Sequence, residues 1–302
     1  MARAGRQLNL SGVFAATVTP NRPGTLDIDY SALMDLLDFL ACAKVTGICL
    51  MGSTGEFPNY SFADRQRAVY LGSKRSRVPM LVGVGHSTLS GALQIASEAI
   101  AAGADGLLLM PPPFFPYGQQ EIEEFYRIFA RETGDAVPIL LYNAPAVTSK
   151  IDTPTVRRLV HSGHFAGIKD SSGDWSYFEE LLALRREKPF ALFAGHDRIA
   201  LQALRAGADG VISGCAAAIP ELLVAIQQSR GNPGALNQRL EEFLAWIERF
   251  PPPVAIKRAV QLRGQKPGEF AVPFTAERAR ELDEFSRWFP AWWAGVVAET
   301  RQ

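Results

Sequence analysis

The sequence predicts an α/β protein, a (β/α)8 barrel (TIM barrel) with a C-terminal helical extension. Eight short apolar segments alternate with segments of helical spacing along the 302 residues, which is the order of elements in such a barrel. An internal repeat supports this prediction. Ala102-Gly103-Ala104-Asp105-Gly106 precedes the fourth strand, and Ala206-Gly207-Ala208-Asp209-Gly210 precedes the eighth, as half-barrel symmetry predicts.

Each predicted strand is a short apolar run that ends in a turn. The runs cover residues 13–19, 47–51, 80–84, 106–110, 139–142, 166–169, 191–194 and 210–213. A doubly wound open sheet is the alternative arrangement. Eight regular units without a G-x-G-x-x-G sequence after the first strand favour the barrel.

Helix signals between the strands agree with this order. The helix after the first strand carries leucines at i, i+3, i+4 and i+7, at positions Leu33, Leu36, Leu37 and Leu40. Ser61 with Asp64 resembles a capping box, and Thr153 before a proline is a candidate N-cap. Gly103 and Gly207 are each expected to end a helix just before a strand.

The chain after the eighth strand reads as helical. We predict a barrel over residues 12–219 and a helical region over residues 220–302, with a break at Pro251-Pro252-Pro253. The last stretch is rich in Phe and Trp. We expect these helices to pack on the outside of the barrel, and the alternative is that part of their surface is a subunit contact.

Balanced charge argues against a polyanionic partner. Lys plus Arg and Asp plus Glu each number 31, so we expect neither nucleic acid nor a membrane as a partner. The hydrophobic fraction of 47% is enough for a large core. No helical run is long and apolar enough to cross a bilayer, and residues 1–11 lack the apolar stretch of a signal peptide.

The cysteines and histidines predict a reducing compartment and no metal site. Cys42, Cys49 and Cys215 are scattered among apolar neighbours, which is typical of buried thiols in a cytoplasmic protein. Neither they nor the four histidines have the spacing of metal ligands. We therefore predict a cytoplasmic protein that holds no metal.

Two candidate catalytic residues lie where strands end, which is where barrels of this type carry their active sites. Lys169 ends the sixth strand and Tyr142 ends the fifth. If the two strands are neighbours, the amine and the phenol face one cavity, and a partly desolvated amine attacks carbonyls more readily. Taken alone, a lysine at a strand end more often extends its ammonium group to solvent or forms an ion pair.

The second strand ends in a run that can bind an anion. In Gly52-Ser53-Thr54-Gly55-Glu56, two hydroxyls and a closely approachable backbone suit a carboxylate or phosphate, although the run alone is also an ordinary turn. With Lys169 and Tyr142 it predicts imine chemistry on a 2-oxo acid, a small-molecule substrate of the pyruvate type. Lys169 attacks the ketone, Ser53 and Thr54 hold the carboxylate, and Tyr142 transfers protons. The protonated imine accepts electrons, so we predict no cofactor.

These motifs resemble the dihydrodipicolinate synthase / N-acetylneuraminate lyase family of Schiff-base-forming, class I aldolases. The resemblance extends from residue 12 to residue 257. It rests on three runs, Gly52-Ser53-Thr54-Gly55-Glu56, Tyr142-Asn143-Ala144-Pro145 and Gly167-Ile168-Lys169-Asp170.

The resemblance implies a role for each of these side chains. It implies that Lys169 forms the imine, that Tyr142 relays protons, and that Ser53 and Thr54 bind the pyruvate carboxylate, with Thr54 also completing the relay. It further implies a homo-oligomer, most simply a dimer of dimers. The positions whose backbone lines the pocket correspond to Gly195 and Ile212.

Two positions depart from the synthases of the family. The synthases have an arginine that grips the second substrate's carboxylate where this sequence has Val147. They also donate a tyrosine across the dimer from the loop after the fourth strand, where alignment places Phe115, with Tyr117 close by but offset. Because the loss of a bidentate carboxylate anchor changes specificity, we expect imine formation but not the second step of the synthases.

The sequence therefore predicts a lyase or aldolase that makes or breaks a C–C bond to pyruvate or a close analogue. Residues 52–58, Pro145-Ala146 and Lys169-Asp170-Ser171 are similar to the 4-hydroxy-2-oxoglutarate aldolase branch. The alternatives are a keto-deoxy sugar acid dehydratase, a dihydrodipicolinate synthase, which Val147 weakens, and a non-enzymatic sensor that binds a 2-oxo acid.

Overall fold

Eight parallel strands close into a barrel in the order β1 to β8. The computed structural model describes residues 8–229 and 233–300. The strands are β1 (Gly12–Ala16), β2 (Gly47–Leu50), β3 (Met80–Gly83), β4 (Gly106–Leu109), β5 (Ile139–Asn143), β6 (Gly167–Asp170), β7 (Ala191–Ala194) and β8 (Gly210–Ser213). Because β1 pairs with both β2 and β8, the sheet has no free edge. The predicted (β/α)8 barrel is confirmed, and the open sheet is excluded.

Helices follow the strands and cover the barrel. They are α1 (Tyr30–Cys42), α2 (Phe62–Arg75), α3 (Leu89–Ala102), α4 (Gln119–Thr133), α5 (Thr153–His161), α6 (Trp175–Glu187), α7 (Ala200–Arg205), α8 (Pro220–Gln228), α9 (Gly234–Ile247), α10 (Val254–Leu262) and α11 (Ala276–Thr300). Short 3-10 turns at Phe57–Asn59, Asp197–Ile199 and Cys215–Ala217 follow β2, β7 and β8.

The predicted helix signals lie on helices in the structure, except that α5 begins at a different N-cap. The four predicted leucines of α1 are all buried, because one face of an amphipathic helix packs on the barrel. Ser61 caps α2, and its Oγ accepts from the Asp64 backbone N–H at 3.2 Å. At α5 the predicted N-cap is wrong, since Asp152 is the N-cap and Thr153 is already helical. Pro154 fits there because first-turn N–H groups have no partner within the helix.

The C-terminal helices form an aromatic layer. Phe243, Phe285, Phe289 and Trp292 are buried, and the Phe243 and Trp292 rings stack with centroids 5.4 Å apart. Residues 263–275 are not helical, so the expectation of a helical region interrupted only at the prolines is wrong. Gly264 and Gly268 adopt φ of +81° and +80°, which favours glycine and ends α10. The division between residues 12–219 and 220–302 stays a proposal, and residues 230–232 and 301–302 lie outside the described part.

Among the described residues, no helix has the length and apolar character that a bilayer crossing requires. All three cysteines are free, and Cys49 and Cys215 are buried, which raises the pKa of both thiols. Cys42 is exposed, so the expectation of a buried thiol is wrong there. It follows the last buried leucine of α1 by two residues and lies away from the packed face.

Candidate active site

Lys169 and Tyr142 lie side by side at the carboxyl ends of β6 and β5. They are register partners in the parallel pairing of these strands, and each has only 3% of its surface exposed. The Lys169 Nζ lies 4.3 Å from the centroid of the Tyr142 ring. In the part of the chain that the structure describes, Lys169 forms no ion pair. The two alternatives for a lysine at a strand end were an ammonium group extended to solvent and one held by a carboxylate. Neither applies to Lys169.

The loop after β2 reaches the tyrosine through a hydroxyl. Ser53 Oγ and Tyr142 Oη are 2.9 Å apart, and either can donate. Thr54 points to the other side of the barrel mouth, where its Oγ1 lies 3.1 Å from a Cβ placed on Gly214. The loop thus places one hydroxyl against the end of β5 and the next against the end of β8, so its two side chains flank the site from opposite directions.

The absence of a side chain at Gly195 leaves room for the Lys169 side chain. A Cβ at this position would lie 2.5 Å from Lys169 Cε and 2.2 Å from Ser171 Oγ, so any side chain there would displace the amine. Ile212 lies in β8 opposite Phe14 and is fully buried in the barrel wall. The structure thus places Gly195 against the lysine, and Gly214, directly after β8, approaches Thr54. That Ile212 lines the pocket stays a prediction.

A buried cross-strand pair fixes β5 to β6 next to the lysine and tyrosine. Asp170 Oδ1 accepts from Asn143 Nδ2 at 2.7 Å, and Asp170 Oδ2 accepts from Ser172 Oγ at 2.8 Å. Burial raises the pKa of the Asp170 carboxyl, and the hydrogen bonds from Asn143 and Ser172 oppose that rise. Asn143 and Asp170 both lie in the sequence motifs, but the sequence predicted no role for either. Their pairing becomes visible only once the strand order is known.

One buried hydroxyl beside the lysine is unpaired. Within residues 8–229 and 233–300, Ser171 Oγ has no hydrogen-bond partner, and it lies on the same side of Gly195 as the Lys169 side chain. A buried polar group without a partner is costly, typically about 1–3 kcal/mol. A polar group placed next to it would remove that cost, so Ser171 Oγ can form one more hydrogen bond at this position.

A cleft opens beside the loop after β2. Its volume is about 550 Å³, and Ser53 and Glu56 line one side while Phe270 and Phe274, from the segment between α10 and α11, line the other. Small-molecule sites have volumes of about 300–1,000 Å³. Because Ser53 contacts both Tyr142 and this cleft, the cleft adjoins the candidate site.

Metal ligands do not cluster in the described ranges. No group of three or more His, Cys, Asp or Glu side chains between residues 8 and 229 or 233 and 300 is arranged to hold a metal ion. The predictions of no metal and no cofactor stay predictions.

Comparison with known proteins places this barrel among the class I, pyruvate-dependent aldolases and lyases. The model of the dihydrodipicolinate synthetase family matches residues 9–290, and the chain belongs to that family. The family predicted from the three sequence motifs is therefore confirmed, and the protein is an enzyme of the aldolase and lyase class.

Relatives with different reactions match over nearly the whole chain. A probable 2-dehydro-3-deoxy-D-pentonate aldolase from Escherichia coli is 30% identical over 280 residues, which is 88% of this chain and 91% of the relative. A 4-hydroxy-tetrahydrodipicolinate synthase from Methanospirillum hungatei is 29% identical over 289 residues, which is 90% of this chain and 97% of the synthase. The structure of YagE, an Escherichia coli prophage protein in complex with pyruvate, matches with a TM-score of 0.86 at 22% identity, over 93% of this chain and 98% of YagE.

Proposed function

We propose that the protein is an aldolase that splits a 4-hydroxy-2-oxo acid into pyruvate, or a close analogue, and an aldehyde, or joins them in reverse. The observation that carries this proposal is the buried Lys169 amine, without an ion pair in the described residues, over the Tyr142 ring. An amine so placed can act as a nucleophile toward a ketone, and the adjacent hydroxyls can move the protons.

The proposed reaction begins with the imine. Lys169 Nζ adds to the C2 carbonyl, and Tyr142 donates a proton to the carbinolamine hydroxyl, which leaves as water. The C3–C4 bond then breaks, its electrons pass into the iminium group to give an enamine, and the C4 hydroxyl loses its proton to the Tyr142 phenolate as the aldehyde departs. Tyr142 then gives that proton to C3 of the enamine, and water hydrolyses the resulting iminium to release pyruvate and free Lys169, with a proton returned to the Tyr142 phenolate.

Two sets of hydroxyls support this choice of substrate. Ser53 and Thr54 flank the barrel mouth and suit the C1 carboxylate, which orients the C2 carbonyl toward the amine. Ser171 is a buried hydroxyl with no partner among the described residues, and it lies beside Lys169. A 4-hydroxy group on the substrate would supply its missing hydrogen bond. A keto-deoxy sugar acid dehydratase would use the same imine and is the second candidate.

The specificity expected of this site differs from that of the synthases. We expect 4-hydroxy-2-oxo acids to release pyruvate, and pyruvate with aspartate semialdehyde to give little or no condensation, because Val147 cannot pair with a carboxylate. A coupled lactate dehydrogenase assay over a panel of 4-hydroxy-2-oxo acids measures the first. A chromogenic condensation assay measures the second.

A matched pair of variants tests the role of Val147 in that expectation. Val147 is 51% exposed, so larger side chains fit without repacking. Val147→Arg should gain some condensation with aspartate semialdehyde, whereas Val147→Leu, which changes size but not charge, should gain none. Efficient condensation by the unmodified enzyme would contradict the specificity argument.

The proposal includes a homo-oligomer, a dimer of dimers. The loop after β4 exposes Phe114 by 84% and Phe115 by 60%, and Tyr117 N donates to Ser149 Oγ at 2.9 Å, which ties this loop to the segment of Val147. An exposed apolar patch of this kind is typical of an interface. Light scattering at micromolar concentration should give the mass of a tetramer. A monomer would contradict it, and a Phe115→Asp variant should shift the mass downward.

A reducing, cytoplasmic setting is part of the same proposal. The three cysteines are free, and one of them, Cys42, is exposed. An exposed thiol persists most readily where glutathione keeps it reduced.

A further inference from the structure

We infer that Lys257 and Glu56 form a positioning pair that holds the hydroxyl loop, residues 51–56, in its substrate-binding conformation. The inference rests on the proposed function, because it takes the task of this loop to be carboxylate binding. Neither residue contacts the reacting atoms in the mechanism above. They act through Ser53 and Thr54.

The Lys257 ammonium group is buried and joins three separate segments. Lys257 lies in α10 with 1% of its surface exposed. Its Nζ donates to Glu56 Oε2 at 2.8 Å, to Asn21 Oδ1 at 3.1 Å and to the Glu269 carbonyl at 2.8 Å. Asn21 follows β1, Glu56 follows β2, and Glu269 lies between α10 and α11. Because an ammonium group has three protons, its hydrogen-bonding capacity is fully used.

The hydroxyl loop needs such an anchor because both of its ends are strained. Met51 has φ of +57° and Glu56 has φ of +53°, and neither is glycine. Side chains other than glycine adopt this left-handed region reluctantly, so it persists only where surrounding contacts enforce it. The Thr19 hydroxyl donates to the Gly55 carbonyl at 2.6 Å, and Lys257 holds the Glu56 carboxylate.

The anchor acts directly on the binding residues. The Glu56 N–H donates to the Ser53 carbonyl at 3.0 Å, so the residue that Lys257 holds is bonded to the residue that contacts Tyr142. A shift of Glu56 would therefore move the Ser53 hydroxyl relative to both the tyrosine and the carboxylate site. The Glu56 side chain is itself only 10% exposed, so removal of Lys257 would leave a buried carboxylate without its cation beside the loop.

Fold stability alone does not explain a pair of this kind. A buried ion pair contributes little net stability, because the cost of removing two charges from water offsets their attraction. What the pair does provide is a fixed geometry at the junction of the C-terminal helices with the barrel rim. Its position under the loop, rather than elsewhere along α10, connects that geometry with substrate binding.

The test measures pyruvate binding by borohydride trapping and turnover with a 4-hydroxy-2-oxo acid. In Lys257→Met, the pyruvate concentration that gives half-maximal trapping should rise by roughly ten- to a hundredfold, the scale of a small misplacement in a binding site. The maximal trapped fraction at saturating pyruvate should stay near that of the unmodified enzyme, because Lys169 is untouched. The KM for substrate should rise by more than kcat falls.

Arg263→Met is the matched control. Arg263 follows α10 directly and pairs with Glu221 at 2.7 Å, so its loss also removes an ion pair of the C-terminal region, but away from the loop. Its half-saturation for pyruvate should change by less than about twofold. An equal rise in Arg263→Met and Lys257→Met would overturn the inference, because it would show a general loosening of α10.

The double variant shows whether the two residues act as one unit. Glu56→Gln keeps an acceptor for Lys257 but removes the charge, so its half-saturation should rise less than that of Lys257→Met. Lys257→Met combined with Glu56→Gln should resemble Lys257→Met alone. Independent, multiplying effects would overturn the inference. If Lys257→Met does not fold, Glu56→Gln is the test variant. An unchanged pyruvate concentration for half-maximal trapping in Glu56→Gln would then overturn the inference.

Failure of the proposed function gives a different result. If the unmodified enzyme traps no pyruvate at all, the proposed function and the inference both fall. If it traps pyruvate normally and Lys257→Met matches it at every concentration, only the inference falls.

Discussion

Lys169→Ala should lower turnover by about four orders of magnitude or more, the scale of removing a covalent nucleophile. Lys169 is the amine that forms the imine in the proposed reaction, and alanine has no group that can replace it. The side chains placed beside it are the Tyr142 ring and the Ser171 hydroxyl, and neither can form an imine. Coupled pyruvate-release assays on the purified variant measure the effect. Circular dichroism checks that the barrel remains folded.

Lys150→Ala is the control for Lys169→Ala. The Lys150 Nζ also lies over a tyrosine ring, 4.6 Å from the Tyr177 centroid, but its side chain is 43% exposed and it lies outside the candidate site. This variant should keep its activity. Turnover in Lys169→Ala near that of the unmodified enzyme would remove the basis of the mechanism.

Tyr142→Phe should slow turnover by about a hundredfold or more, the usual loss for a general acid–base group. A hundredfold corresponds to ~2.7 kcal/mol of transition-state stabilisation. The phenyl ring remains, so the face that Lys169 contacts is preserved, and only the hydroxyl 2.9 Å from Ser53 Oγ is lost. Steady-state kcat and the rate of imine trapping should both fall.

Tyr126→Phe separates loss of a proton relay from loss of a buried hydrogen bond. The Tyr126 hydroxyl is buried and donates to the Leu109 carbonyl at 2.9 Å. Its removal should cost about 1 kcal/mol of stability, seen as a lower melting temperature. Because the Tyr126 hydroxyl also contacts the Tyr142 backbone, kcat should fall slightly, by far less than the hundredfold expected of Tyr142→Phe. If Tyr142→Phe behaves like Tyr126→Phe, Tyr142 is a structural residue.

Strand positions and the reactive pair were predictable because both depend on local patterns. The end of each strand follows from a short apolar run and its turn, and the closed order β1 to β8 makes consecutive strands neighbours. Once β5 lies beside β6, Tyr142 and Lys169 must meet. For the same reason, the run at residues 52–56 could be placed at the rim before any coordinates were known.

Contacts between distant parts of the chain were not predictable in this way. Lys257 and Glu56 are 201 positions apart in sequence, and a lysine in an amphipathic helix is usually solvated. Its burial depends on how α10 docks on the barrel rim, which no local pattern encodes. The Asn143–Asp170 bond is similar, since both residues are polar ends of apolar strands and their pairing appears only with the register.

Boundaries and connections account for the other differences. The α5 N-cap is Asp152 rather than Thr153, because either residue can precede the first turn and the sequence does not rank them. Residues 263–275 were expected to be helical, but Gly264 and Gly268 take left-handed backbone angles there. That segment supplies Phe270 and Phe274 to the cleft beside Ser53. It also supplies the Glu269 carbonyl to Lys257.

The central claim is that Lys169 is the residue that becomes covalently bound to substrate. Incubation with pyruvate near neutral pH, reduction with borohydride and peptide mass spectrometry test it most directly. The account predicts one stable adduct with the mass of a reduced pyruvate imine, located on Lys169, and none in Lys169→Ala. A reduced adduct on another lysine, or no adduct in an enzyme that still releases pyruvate, would contradict it.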